Sequence, residues 1–139
     1  MKSIHSFGWL FALLVVSALV VGACDPTWAI VAENNSGQTL LARLHGASTG
    51  DGTSVDLVVE LPSGSRITLG ENGVARQWLL QRVEILDPSC AVLAVVDTTD
   101  WDHGGLISVG KGPLIESTGG GNPESGTDGS KTPKCAAAT

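Results

Sequence analysis

One segment of the chain brings together the side-chain types of a metal site. It contains the carboxylates Asp97, Asp100 and Asp102 and ends with the imidazole of His103. Carboxylates and imidazole are ligands of Ca²⁺, Zn²⁺ and Mn²⁺ in proteins. The acidic order and the sixth-place glycine of an EF-hand loop are absent, so we favour a polar loop with Trp101 packed over the core edge. A metal site at these four residues is the alternative.

A second motif has the spacing of a phosphate-binding loop. Residues 105–111 read Gly-x4-Gly-Lys, but the next residue is Gly112 rather than the Ser or Thr that would hold Mg²⁺. The four inner residues are strand-like, and no helical pattern follows whose N-terminus could face a phosphate. We therefore predict no nucleotide site.

Catalytic and nucleic-acid-binding patterns are weak elsewhere in the sequence. Beyond residue 23 the histidines are His45 and His103, and no Cys–His signature accompanies them, so we predict no enzymatic activity and no cofactor. The net charge is -6, and the eight Lys and Arg residues are scattered singly. Neutralising phosphates requires clustered basic residues, so we predict no nucleic-acid partner.

The N-terminus has the parts of an export signal. Lys2 gives a positive start, and residues 7–21 carry no charge. The sequence Val21-Gly22-Ala23-Cys24 then resembles the lipobox of bacterial lipoproteins. That resemblance implies cleavage before Cys24, a diacylglycerol on its thiol, and a lipid anchor on the extracytoplasmic side of the cell membrane. The alternatives are an ordinary cleaved signal whose cysteine enters a disulfide, or an uncleaved membrane anchor.

The cysteines allow one pair beside a lipid site. The chain has three, at positions 24, 90 and 135. If Cys24 is lipidated, Cys90 and Cys135 can form a disulfide, which an oxidising compartment permits. The bridge would fold the C-terminal tail back onto the domain. The alternative is two independent thiols, with Cys90 buried as a small hydrophobic residue.

Period-2 alternation of apolar residues dominates the middle of the chain and predicts short strands. Gly-, Asn- and Pro-containing turns separate the runs. Residues 91–96 are apolar on both faces, which predicts a central strand. A helix is indicated only at residues 74–80, which could equally start the next strand. The predicted strands are residues 28–32, 39–44, 55–61, 66–69, 81–85, 91–96 and 106–109.

These elements predict an all-β protein, a small antiparallel β-sandwich of about seven strands. Their order resembles immunoglobulin-like sandwiches of exported bacterial proteins, carried by residues 30–34, 61–65 and 83–92. We divide the chain into a signal helix (1–23), a lipidated N-terminal linker (24–27), the sandwich (28–116) and a Gly/Ser/Thr-rich tail (117–139). The tail contains no Val, Ile, Leu, Phe or Trp, so it is expected to be flexible.

The predicted function is a non-enzymatic binding or structural role at the cell envelope. The protein would be held at the membrane by Cys24 and would bind an envelope protein or polymer, or belong to a larger envelope assembly. The alternative is a metal-dependent envelope hydrolase that uses Asp97, Asp100, Asp102 and His103. Convergence of those four side chains would favour the hydrolase.

Overall fold

The computed structural model describes residues 28–48, 50–72, 78–112 and 114–136. In this part of the chain the regular structure is entirely β. The strands form one sheet of five and one of four, which confirms the predicted all-β sandwich. In chain order they are β1 (Trp28–Asn34), β2 (Leu40–Ser48), β3 (Ser54–Leu61), β4 (Arg66–Asn72), β5 (Trp78–Leu86), β6 (Val92–Asp97), β7 (Gly105–Val109), β8 (Ile115–Gly119) and β9 (Thr127–Asp128).

The four-stranded sheet is antiparallel and has the order β3-β2-β5-β6. On β2, Leu40, Ala42 and Leu44 are buried in the core, whereas Arg43 and His45 lie on the other, outer face. This is the predicted alternation, in which successive side chains of a strand point to opposite faces. The neighbouring strands β3 and β5 extend the inner face with Val59, Leu61, Val83 and Ile85.

The five-stranded sheet has the order β8-β7-β1-β4-β9, with β1 at its centre. Residues 29–32 of β1 are buried on both faces. The prediction that the sandwich is purely antiparallel is wrong for this sheet, because β1 pairs parallel with β7 and β4 pairs parallel with β9. Parallel pairs need crossover connections, and β7 reaches β1 after the chain has passed through the other sheet.

Strand β6 lies at the edge of the four-stranded sheet. The prediction of a central strand at residues 91–96 is therefore wrong. Within the described residues, β5 is the neighbour of β6 on one side and no strand pairs on the other. The side chains of Val92 and Val95 are 51% and 58% exposed. The strand that is buried on both faces is β1. A central position in a sheet therefore does not explain why the residues of β6 are apolar.

Trp101 packs at the edge of the core, as the polar-loop interpretation predicts. It is partly buried and contacts the main hydrophobic cluster. A Cβ atom at Gly105 or at Gly119 would collide with the indole ring. These two glycines therefore provide the space on β7 and β8 into which Trp101 fits.

The C-terminal tail contacts both sheets. Strand β9 pairs with β4, and the chain then crosses to the other sheet at Gly129, where a Cβ would lie 2.9 Å from Ile67 Cγ2 and 3.0 Å from Val59 Cβ. Residues 130–135, the C-terminal strap, continue along β3. The Glu60 amide donates to the carbonyl of Ser130 at 2.9 Å, and the Thr132 amide donates to the carbonyl of Val58 at 2.9 Å. The composition of the tail predicts flexibility, but backbone pairing holds this part of the tail against the sandwich.

The strap ends at a disulfide between Cys90 and Cys135, which confirms the predicted pairing. The two Cα atoms are 5.3 Å apart, and Cys90 belongs to the turn between β5 and β6. On the outer face of the four-stranded sheet, Cys135 packs against a second apolar cluster of three buried residues, Leu41, Val58 and Leu86.

Candidate functional site

A row of polar side chains crosses the outer face of the four-stranded sheet. Asp56 on β3 lies opposite His45 on β2, His45 lies opposite Arg82 on β5, and Arg82 lies opposite Asp97 on β6. Directly opposed residues on one face of a sheet are close enough to interact. The row lines an open pocket of about 610 Å³, completed by Gly46, Ser54, Gln81, Val95 and Thr99.

His45 lies between two carboxylates. Its Nδ1 is 2.5 Å from Asp56 Oδ1, and its Nε2 is 3.5 Å from Glu84 Oε2. An ionised carboxylate can only accept a hydrogen bond, so Nδ1 carries the hydrogen in the contact with Asp56. The Nε2 atom is buried and has no well-formed hydrogen bond within the described residues. The imidazole is thereby held in one orientation on the pocket wall.

Glu84 joins the pocket to the strap. Its Oε2 atom is 2.7 Å from Arg43 Nη1, and its side chain is 13% exposed. Burial opposes ionisation, but the hydrogen bond from Arg43 and the nearby His45 ring outweigh it and hold the pKa of Glu84 below its usual value. Arg43 also donates from Nε and Nη2 to the carbonyl oxygen of Cys135. The polar row and the disulfide-bonded strap are therefore parts of one hydrogen-bonded network.

The four residues of the acidic segment are placed differently from one another. Asp97 lies on the pocket wall, where its Oδ1 accepts a hydrogen bond from the Thr99 amide at 2.9 Å. Hydrogen bonds from the Thr99 side chain and amide hold the pKa of Asp97 below its usual value. The His103 ring instead lies 5.3 Å from the Trp28 ring at the start of β1, and Asp100 and Asp102 are exposed.

These placements bear on the metal hypothesis. In the described ranges, no group of three or more His, Cys, Asp and Glu side chains is arranged to hold a metal ion. Asp97, Asp100, Asp102 and His103 are thus not brought together as ligands. The buried residue in the segment is Thr98, whose hydroxyl donates to the carbonyl of Leu80 at 2.9 Å and fixes the loop to β5.

Two sequence motifs acquire clear structural contexts, the Gly-x4-Gly-Lys sequence and a Gly-x-Ser-x-Gly sequence that our prediction of no enzymatic activity did not take into account. Residues 105–109 of the Gly-x4-Gly-Lys sequence form β7, which confirms the strand-like reading of its inner residues. Residues 46–50 have the Gly-x-Ser-x-Gly spacing of a nucleophile elbow, with Ser48 in the serine position. Ser48 ends β2, its amide donates to the carbonyl of Thr53, and the chain returns as β3. A nucleophile elbow joins a strand to a helix, so this hairpin does not match one.

Two parts of the sequence predictions lie outside the described residues. The lipobox at residues 21–24 is one, together with the whole signal segment. Residues 74–77 of the possible helix are the other, whereas residues 78–80 belong to β5, as the strand alternative predicts. The described ranges contain no helix that is long and apolar enough to cross a membrane.

Comparison with protein-family models, with curated proteins and with solved structures finds no match to this chain.

Proposed function

We propose that this chain is an exported, lipid-anchored protein of the cell envelope with a non-enzymatic binding role. The pairing of its cysteines carries the proposal. Cys90 and Cys135 form a disulfide, a bond that persists in oxidising compartments outside the cytosol. The remaining cysteine is Cys24, which stands in the lipobox-like sequence after an apolar segment. Each cysteine thereby has a chemical role that agrees with export.

The position of the anchor relative to the fold supports a binding role. Cys24 precedes Trp28 by four positions, and four residues span at most about 14 Å. The lipid would therefore hold the Trp28 end of the sandwich near the membrane. The contact of Trp28 with His103 places the turn after β6 at that same end. The pocket, which includes Asp97 and Thr99, would lie close to the membrane.

Two acyl groups or more would make the anchoring stable, because each buried CH₂ contributes about 0.8 kcal/mol. The test is Cys24→Ser in the full chain, followed by metabolic labelling with a radioactive fatty acid and by membrane fractionation. We expect both the label and the membrane association to be lost. The matched control is Cys135→Ser, which should keep both. Fatty-acid labelling that survives Cys24→Ser would overturn the proposal.

A further inference from the structure

The outer edge of β6 differs from the other sheet edges. The edge of β3 is covered by the strap, and the edge of β4 is covered by β9. The remaining edge strands are β9, which has two exposed polar residues, and β8, which consists largely of exposed polar residues after Ile115. Residues 92–96 of β6 contain no charge, no proline and no glycine. Proteins usually protect such an apolar edge, because its free backbone groups can pair with another chain.

The hydrogen-bond pattern shows which backbone groups of β6 are free. The Thr98 amide donates to the carbonyl of Gln81, the pair that follows Arg82 and Asp97. In an antiparallel ladder, hydrogen-bonded and non-hydrogen-bonded pairs alternate. The amide and carbonyl groups of Val95 and Asp97 therefore point away from β5. An added strand would find donors and acceptors at these two residues.

The side chains beside this edge provide a surface for alternate residues of an added strand. Val95 lies opposite Glu84 and Asp97 opposite Arg82, so both side chains are on the outer face with the pocket. Neighbouring strands lie about 4.8 Å apart, so outward-facing side chains of a strand beside β6 would contact Val95 and reach toward Asp97. Backbone hydrogen bonds to β6 would supply the affinity, and the side-chain contacts with Val95 and Asp97 would supply the specificity.

The charged residues around β6 determine which kind of added strand fits its outer edge. Four carboxylates flank β6, with Asp87 before it and Asp97, Asp100 and Asp102 at or after its end. Two of them have a cation nearby, since Arg82 lies opposite Asp97 and the Lys134 charge acts on Asp87, so the surroundings of the strand keep a net negative charge. An antiparallel pair of two β6 strands would bring together two edges of the same net negative charge, and opposed like charges are destabilising. A second copy of this chain is therefore disfavoured. A segment with basic residues is favoured.

We propose that β6 binds, by strand addition, an extended segment of a partner protein that has aliphatic residues at alternate positions and a Lys or Arg beside Asp97. This partner class deepens the proposed function and rests on its binding role. Its test does not depend on lipidation, because it uses purified protein. Loss of fatty-acid labelling and loss of peptide binding are thus separate outcomes.

The experiment selects random linear peptides, displayed on phage, on the full-length protein in mild detergent. We expect enrichment of peptides with alternating aliphatic residues and at least one Lys or Arg. The key variant is Val95→Pro, which removes the outward amide without removing a hydrogen bond to β5. We expect it to weaken binding of a synthesised, selected peptide by about tenfold or more, the equivalent of one or two good hydrogen bonds. Circular dichroism checks that the variant remains folded.

A second pair of variants guards against a folding defect. Val95→Lys places a charge on the edge and should weaken binding to a similar degree. Leu114→Lys makes the same change at a residue that is 63% exposed outside β6, and it should leave binding unchanged. The proposal fails if no peptide is enriched, if the enriched peptides lack basic residues, or if Val95→Pro and Val95→Lys bind as tightly as the wild type. It also fails if the free protein forms a dimer that Val95→Lys dissociates, because the occupant would then be a second copy.

Discussion

Arg43 and Cys135 are 92 positions apart in the sequence, yet the Arg43 guanidinium donates two hydrogen bonds to the Cys135 carbonyl oxygen, from Nε at 3.1 Å and from Nη2 at 2.8 Å. The same guanidinium contacts Glu84 through Nη1. The strap end is thereby fixed twice, by the disulfide to Cys90 and by this polar contact to β2. The two attachments lead to different predictions.

Replacement of Arg43 by Met should destabilise the fold. The variant keeps an apolar stem but loses the hydrogen bonds to Cys135 and leaves Glu84, which is 13% exposed, without its closest cation. We expect a loss of about 2 kcal/mol in the free energy of unfolding, measured with urea. The control is Arg82→Met, because Arg82 is 50% exposed and its contact with Glu84 is 3.4 Å. The free energy of unfolding of Arg82→Met should fall by no more than about 0.5 kcal/mol. Equal losses in the two variants would contradict the role assigned to Arg43.

Removal of the disulfide should have the larger effect. The double variant Cys90→Ala/Cys135→Ala opens a loop that spans 45 positions. On the chain-entropy model, we expect a loss of about 4 kcal/mol in the free energy of unfolding. The measurement compares urea unfolding of this variant with that of the oxidised wild type. Thiol titration of the denatured, non-reduced wild type gives an independent check, since reactive thiols at positions 90 and 135 would exclude the bond.

Asn34→Asp should destabilise the end of β1. Asn34 is fully buried, and its Nδ2 donates to the carbonyls of Gln38 at 2.8 Å and of Leu61 at 2.7 Å. An aspartate would lose both donors and place a carboxylate against two carbonyl oxygens. We expect a loss of about 3 kcal/mol by thermal or urea unfolding. The neighbouring Asn35 is exposed, so Asn35→Asp should change stability by less than about 0.5 kcal/mol.

Glu84 should contribute to the acid sensitivity of the fold. Its pKa is lowered in the folded protein, because Arg43 and His45 outweigh the cost of burial. The stability that this carboxylate adds is therefore present above the pKa of the unfolded chain, near 4.5, and is lost as the pH falls through the lower folded pKa. In Glu84→Gln, the free energy of unfolding should fall less steeply with pH below that value. Parallel profiles for variant and wild type would contradict this linkage.

The alternation in the sequence was sufficient to predict both faces of β2, β3 and β5. Arg43, Arg82 and Glu84 lie outward because their apolar neighbours must be buried, a requirement that acts within each strand. The same pattern could have located the polar row, since His45 and Asp56 also alternate with core residues. The pairing register of the strands could not be predicted from the sequence. This register places Asp56, His45, Arg82 and Asp97 side by side.

Two features could not be predicted because they depend on which strands become neighbours. Residues 92–96 are apolar enough for a central strand, but β1 occupies the centre of the other sheet and β6 is left at an edge. The tail contains no Val, Ile, Leu, Phe or Trp, and local composition therefore predicts flexibility. Its position comes from backbone pairing with Val58 and Glu60 and from the bond to Cys90, contacts across more than 40 positions.

The strap also has consequences for the order in which the fold can be completed. Synthesis proceeds from the N-terminus, so all strands that build the two sheets emerge before residues 130–135 do. Until then Leu41, Val58 and Leu86 lack the cover of Cys135, and the edge of β3 has no partner. The nascent chain therefore exposes an apolar patch and an unpaired sheet edge at the same time, and residues 130–135 cover both. A chain truncated shortly before Cys135 would leave both the apolar cluster and the β3 edge exposed.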